Sequence, residues 1–171
     1  MSQIFSSKIL EVLGQSPHDR ESDVYKEHVF PAEYDTLQLL AVDNITLNTT
    51  DVVCSAPFMS HFLNEVWLGQ IEDVIEQFGA KLMLVWMHSD AETAKPRIIS
   101  RNEPRDHWKL NNWDAYNQVT GYNPPSTKRL IHVIENKSDS EESLEVQLDS
   151  FINELARLDQ AYELIEKYKS A

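Results

Sequence analysis

The sequence has few glycines, one cysteine and a minority of basic residues. None of its four glycines is followed by lysine, so the chain contains no Gly-x-x-x-x-Gly-Lys-Ser/Thr loop, the motif that cradles nucleotide phosphates. The single cysteine, Cys54, excludes an intramolecular disulfide and a cysteine-ligated metal cluster. A lone thiol is also typical of a reducing compartment, and we therefore expect a cytoplasmic protein.

Positive charge and long apolar runs are scarce as well. The chain carries 15 Lys and Arg against 28 Asp and Glu, a formal net charge of -13. A field of that sign repels nucleic acid and anionic membranes, so we expect neither as a partner. No run reaches the ~20 apolar residues of a membrane-spanning helix, and the first residues do not resemble a signal peptide. A small anion in a local cationic pocket remains compatible with this composition.

The hydrophobic pattern alternates between helices and short buried strands. It predicts strands at 51–57, 80–87 and 129–136, and helices at 4–13, 23–30, 31–47, 60–78 and 141–168. Strands that alternate with helices form parallel sheets covered on both faces. The sequence therefore predicts a single α/β domain over residues 1–171.

Residues 91–120, called the lid below, contain an unusual row of cations. Arg97, Arg101, Arg105 and Lys109 follow one another at intervals of four, a spacing that places side chains on one helical face. Pro104 predicts a break between two helical pieces. Like charges so placed repel unless an anion lies between them, and the arginine fork suits phosphate.

Two interpretations of this row stay open. It is either a phosphate-clamping lid or a solvated helix face whose cations pair with Glu92, Glu103 and Asp106, with Asp106 most naturally the partner of neighbouring Arg105. The row begins just after His88–Asp90, at the predicted carboxyl end of a strand. Ligands of parallel sheets bind beyond these ends, and this placement favours the phosphate clamp.

Three motifs together resemble the P-loop kinases. They are Val-Val-x-x-Ala-Pro-Phe at 52–58, the strand Leu-Val-Trp-Met at 84–87, and Arg-x-x-x-Arg-Asn-x-x-Arg-Asp-x-Trp-Lys at 97–109. The similarity runs from about Phe5 to Asn136 and is strongest to the zeta-toxin-like and the shikimate- or gluconate-kinase-like phosphotransferases. It implies a P-loop NTPase-like fold with a helical lid.

The resemblance also implies an activity and its residues. A γ-phosphate would pass from ATP, with Mg²⁺, to a small hydroxyl-bearing acceptor. By position in the motifs, the catalytic cations would be Arg97, Arg101 and Arg105; the nucleotide and phosphate residues Lys109 and Asn136, the latter near the adenine; and the acceptor-binding residues Arg20, Tyr25, Pro57 and Phe58. The histidines share no metal-ligand spacing, so we predict no protein-ligated metal.

The missing phosphate loop leaves the function open. The first strand, P-loop and first helix expected before Ile4 are not in the sequence. The chain is then either a fragment or alternative start of a complete kinase, or a diverged relative that no longer hydrolyses ATP. A catalytically silent nucleotide-binding or protein-interaction module is the alternative function, and its open sheet edge would favour a homodimer.

Overall fold

The computed structural model describes residues 2–48 and 51–169, with side chains described for 5–47 and 51–160. These residues form two strands among mostly helical elements. The elements are α1 (Ser2–Val12), a π helix (Tyr25–Val29), α2 (Phe30–Asn48), α3 (Met59–Phe62), α4 (Glu65–Glu76), β1 (Leu84–His88), α5 (Ala91–Arg101), a 3-10 turn (Pro104–Asp106), α6 (His107–Asn111), α7 (Trp113–Val119), β2 (Ile131–Glu135) and α8 (Leu144–Lys169).

β1 and β2 form a parallel pair flanked by helices. Leu84 lies opposite Ile131 and His88 lies opposite Glu135, so both strands end at the same level. The predicted α/β class and the parallel pairing are confirmed for the described residues. Both strands are shorter than their apolar runs, because main-chain pairing covers only five residues of each.

The predicted strand at 51–57 is wrong. Residues 51–58 form no strand or helix, and Val53 is 92% exposed. A strand needs a neighbour for its main-chain N–H and C=O groups, and the described sheet contains only β1 and β2. Cys54 is half-buried there, and this burial raises the pKa of its thiol.

The helices follow the predicted pattern with local breaks. The expected helix at 60–78 divides into α3 and α4, because the Asn64 side chain accepts a hydrogen bond from the Trp67 N–H at 3.1 Å and starts a new helix. The predicted short helix at 23–30 contains the π helix, which runs into α2 without a loop, and the Phe30 N–H donates to the Tyr25 C=O. The predicted closure of α2 at 49–50 lies outside the described residues.

The lid is broken near Pro104, as predicted. α5 starts at Asp90, whose carboxylate accepts from the Thr93 N–H at 2.8 Å. It ends at Asn102, which adopts a left-handed conformation with φ of 50°, a role that asparagine tolerates better than most residues. Pro104 then opens the 3-10 turn.

The core lies between the sheet and the helices α3 and α4. Phe62, Leu68 and Leu84 are buried together, packed against half-buried apolar residues that include Trp67 and Trp86. Burying a side chain of this size contributes roughly 1.5–3 kcal/mol. This packing covers one face of the sheet and leaves the carboxyl ends of the strands to polar residues.

The apolar stripe predicted along α8 is largely uncovered. Leu144, Leu148, Ile152 and Leu158 are between 36% and 59% exposed, whereas Phe151 packs near His132 of β2. The side chains of Tyr162 and Ile165, also placed on this stripe, lie outside the described set. Within the described chain, no helix has both the length and the apolar character required to cross a bilayer.

Candidate functional site

The carboxyl ends of β1 and β2 form a polar edge. The Asn136 N–H donates to the His88 C=O at 2.7 Å, and His88 Nδ1 lies 2.7 Å from Glu135 Oε1. Lys137 Nζ lies 3.3 Å from the other oxygen of the same carboxylate. The hydrogen bond with His88, followed by Lys137, holds the pKa of Glu135 below its usual value.

Helix α5 is tied to this edge at two points. The Ser138 N–H donates to Thr93 Oγ1 at 3.0 Å, and Arg97 Nη1 donates to the Asn136 C=O at 2.9 Å. Asp90 is fixed beside them, since the Thr93 N–H lowers the pKa of its carboxyl. The structure thus brings together Arg97 and Asn136, two predicted nucleotide residues from different parts of the chain.

Several polar groups near this edge are available to a ligand. Among the described residues, the Asn136 side-chain amide has no hydrogen-bond partner, and the exposed Arg97 uses one donor. Ser89 Oγ and the Tyr122 hydroxyl are buried with no partner in the same part of the chain. Tyr122 lies against β1, because its C=O accepts from Trp86 Nε1 at 2.9 Å. Buried polar atoms are normally satisfied, so this edge has unused hydrogen-bonding capacity.

Arg101 and Lys109 share one buried carboxylate. Arg101 Nη2 and Nε lie 2.6 and 2.8 Å from Asp106 Oδ2, and Lys109 Nζ lies 3.0 Å from Oδ1. The Asp106 side chain is completely buried. Burial alone would raise the pKa of Asp106, but the hydrogen bonds from Lys109 and Arg101 outweigh it and the pKa is lowered.

The expectation that Asp106 pairs with Arg105 is therefore wrong. Asp106 lies at the end of the 3-10 turn, and the bend after Arg101 carries its carboxylate back to the last turn of α5. Arg105 is half-buried instead, and its Nε is a buried donor without a partner in the described chain. The four lid cations consequently have three different environments rather than forming one ladder.

The predicted acceptor residues Arg20 and Tyr25 are in contact. The Arg20 guanidinium lies 5.0 Å from the centre of the Tyr25 ring, and Arg20 Nη1 donates to the Asp19 C=O at 2.8 Å. The Tyr25 hydroxyl donates to Glu33 Oε2 at 3.1 Å, and Ser6 Oγ donates to the other oxygen of Glu33. Burial, followed by the charge of Glu33, raises the pKa of Tyr25.

Pro57 and Phe58, the other predicted acceptor residues, pack on Tyr34. The Tyr34 hydroxyl donates to the Pro57 C=O at 2.9 Å, and its ring lies edge-on to Phe58 at 5.5 Å. Burial raises the pKa of Tyr34 to about 12. Phe30 bridges Tyr34 at 4.6 Å and Tyr25 at 6.2 Å, so the predicted acceptor residues belong to one continuous patch.

Glu33 and the true partners of Asp106 were missed from the sequence. Glu33 lies eight residues after Tyr25, slightly more than two helical turns, so the spacing could have placed both on one face. Asp106 follows Arg101 by five residues across a proline, and no helical spacing rule covers such a bend.

A separate groove of about 470 Å³ lies between α5 and α7. It is lined by residues that include Lys95, Pro96, Ile99 and Trp113, and Lys95 Nζ lies 5.1 Å from the Trp113 ring centre. None of the four predicted phosphate cations lines this groove. It is therefore distinct from the Arg97–Asn136 contact.

The residues present fit the two halves of the implied cofactor unequally. The free Asn136 amide and the Arg97 plane suit a purine base. For Mg²⁺, the described residues contain no group of three or more His, Cys, Asp or Glu side chains that could hold a metal ion, so the chain does not supply a metal cage of its own. No family model, curated protein or solved structure matches the chain.

Proposed function

We propose that the chain is a nucleotide-binding domain of the P-loop kinase type, with its nucleotide at the carboxyl edge of β1 and β2. The supporting observation is the 2.9 Å hydrogen bond between Arg97 and Asn136, which are 39 residues apart. Sequence resemblance assigned both residues to the nucleotide independently. The single cysteine also supports a cytoplasmic location for this domain.

The base-binding half of the proposal rests on two side chains. The Asn136 amide offers one acceptor and two donors, the complement of an adenine edge. The planar Arg97 guanidinium is suited to stacking on an aromatic ring. Arg97 is also anchored to the main chain beside Asn136, which fixes the distance between the two groups.

The phosphate-binding half rests on the remaining lid cations. Arg101, Arg105 and Lys109 would neutralise charge on the phosphates, and a phosphate oxygen would satisfy the orphaned Arg105 Nε. In kinases such cations stabilise the transferring phosphoryl group. We propose ATP as the nucleotide and derive no step through Mg²⁺, because these residues provide no site for it.

The Tyr25–Phe58 patch is the proposed acceptor site. Its aromatic rings present an apolar surface, while Arg20 and Glu33 provide a cation and a hydrogen-bond acceptor beside it. A small molecule carrying a hydroxyl group fits this mixture, since the hydroxyl can donate to the Glu33 carboxylate. Transfer of a phosphoryl group to this hydroxyl is the reaction that the resemblance implies.

Calorimetric titration of the full chain with ATP tests nucleotide binding. We expect Asn136→Ala and Arg97→Ala each to weaken ATP binding by about tenfold, the equivalent of one good hydrogen bond or stacking contact. Arg157→Ala is the matched control, because Arg157 is exposed on α8 and carries the same charge. Equal affinity in the Asn136, Arg97 and Arg157 variants would reject the site, and no binding by the wild-type chain would reject the function.

The exposed stripe on α8 favours a second candidate, a protein-interaction module that self-associates. Leu144, Leu148, Ile152 and Leu158 form an apolar surface with no cover in the described chain, and the outer edge of β1 has no strand partner there. Sedimentation velocity of wild-type and Ile152→Asp protein separates the candidates. A dimer that dissociates in the variant, without ATP binding, would support the interaction module.

A further inference from the structure

Two lid cations from separate helices meet at one carboxylate. Arg101 ends α5 and Lys109 lies in α6, yet both contact Asp106 at 3.0 Å or less. Without Asp106, two positive charges this close would repel each other. Asp106 therefore controls whether the two cations stay together.

We propose that Asp106 is a positioning residue that preassembles Arg101 and Lys109 into a clamp for the polyphosphate group of a nucleotide. This inference rests on the proposed nucleotide-binding function. The three side chains keep a net charge of one positive unit, so the assembled group still attracts an anion. Assembly before binding also lowers the ordering cost that a ligand must offset.

The geometry leaves donors free for a ligand. Arg101 uses Nε and Nη2 on Asp106, which leaves Nη1 without a contact in the described chain. Lys109 uses one of its three donors and is held from another side by the Tyr116 ring, 5.5 Å from Nζ. The Arg101 and Lys109 side chains are 43% and 31% exposed, whereas Asp106 is fully buried. The cations are thus accessible while the carboxylate that holds them is not.

Two other roles for Asp106 make different predictions. A purely structural tie between α5 and α6 would affect folding but not anion affinity. A competing internal anion would weaken binding, so its removal would strengthen the affinity. A positioning residue has the opposite effect, because its removal separates the cations and weakens the affinity.

Titration with inorganic triphosphate, which has no base, tests the clamp alone. We expect Asp106→Asn to bind triphosphate about tenfold more weakly than wild type, despite its more positive charge. Asp114→Asn is the control, because it makes the same charge change at an exposed lid position and should not weaken binding. Unchanged or tighter binding by folded Asp106→Asn would overturn the proposal. If that variant does not fold, Arg101→Lys, which loses the fork but keeps the charge, must show the weaker binding.

A ligand-free measurement separates this inference from the proposed function. Phenylglyoxal modifies accessible guanidinium groups, and mass spectrometry gives the rate at Arg101. We expect a several-fold faster rate in Asp106→Asn than in Asp114→Asn. If wild type binds neither ATP nor triphosphate, the nucleotide function fails, and an unaccelerated rate at Arg101 would then also overturn the positioning role.

Discussion

The His88 imidazole and the Glu135 carboxylate face each other at the ends of the two parallel strands, with Nδ1 2.7 Å from Oε1. The pair sits on opposed residues of the sheet register, so it links the strands where their main-chain pairing finishes. Asn136 and Asp90, which bound the proposed nucleotide site, follow within two residues. The pair therefore fixes the platform from which both sides of the site depart.

Replacing Glu135 by Gln should reduce the dependence of stability on pH in the acid range. The folded-state pKa of Glu135 is lowered, mainly by His88, so its contribution is present above the unfolded value of about 4.3 and is lost as the pH falls through the folded value. The effect should be modest, because this side chain is 41% exposed and solvent screens it. Urea midpoints across the acid range measure it, with Glu145→Gln as the exposed control. A pH profile identical to wild type would contradict the prediction.

Asp106→Asn should destabilise the protein at neutral pH and lose that penalty in acid. The pKa of Asp106 is lowered in the folded state, so its contribution is complete above the unfolded value of about 3.9 and disappears as the pH falls through the folded value. We expect a loss of about 1–3 kcal/mol at pH 7, the range for hydrogen bonds to charged groups. Chemical denaturation at neutral and at strongly acid pH should show the gap closing. A gap of constant size would point to packing rather than charge.

Leu68→Ala should be strongly destabilising. Leu68 is fully buried and packs with Phe62 and Leu84, and such truncations cost about 2–5 kcal/mol through lost burial and the cavity that remains. Val66→Ala on the same helix is the control, since Val66 is 71% exposed. Denaturant unfolding of both variants checks the difference. Similar losses in the two would place the core elsewhere.

Tyr34→Phe should cost about 1 kcal/mol, the net value of one hydrogen bond. The variant keeps the ring against Phe58 but removes the donor to the Pro57 C=O. Tyr116→Phe is the control, because its hydroxyl has no hydrogen-bond partner in the described chain. Difference absorbance during alkaline titration adds a second readout, since Tyr34 should ionise near its pKa of about 12. Ionisation of every tyrosine near pH 10 would contradict the burial.

Elements whose stability depends on their own pattern were predictable. The capping residue Asp90, the proline break in the lid and the two apolar strands β1 and β2 all carry local signals. The segment at 51–57 has the same apolar signal but no neighbour to pair with, and strand formation depends on that neighbour. Periodicity likewise located the α8 stripe without showing that it would stay exposed.

The site was predictable at the level of residues more than of contacts. Resemblance placed Arg97 and Asn136 at one ligand, and the structure joins them. It gave no indication that Asp106 would hold Arg101 and Lys109, because the bend between α5 and α6 sets that geometry. Long-range contacts of this kind depend on the course of the backbone, which residue spacing does not encode.

The π helix makes the Tyr25–Glu33 contact depend on residue number. Removing one residue from 26–28 would turn its wide turn into an ordinary α-helical one and rotate Tyr25 by about 100° relative to α2. The phenol would leave Glu33 even though every side chain of the contact was still encoded. Natural variants should accordingly tolerate exchanges at these positions far more readily than insertions or deletions.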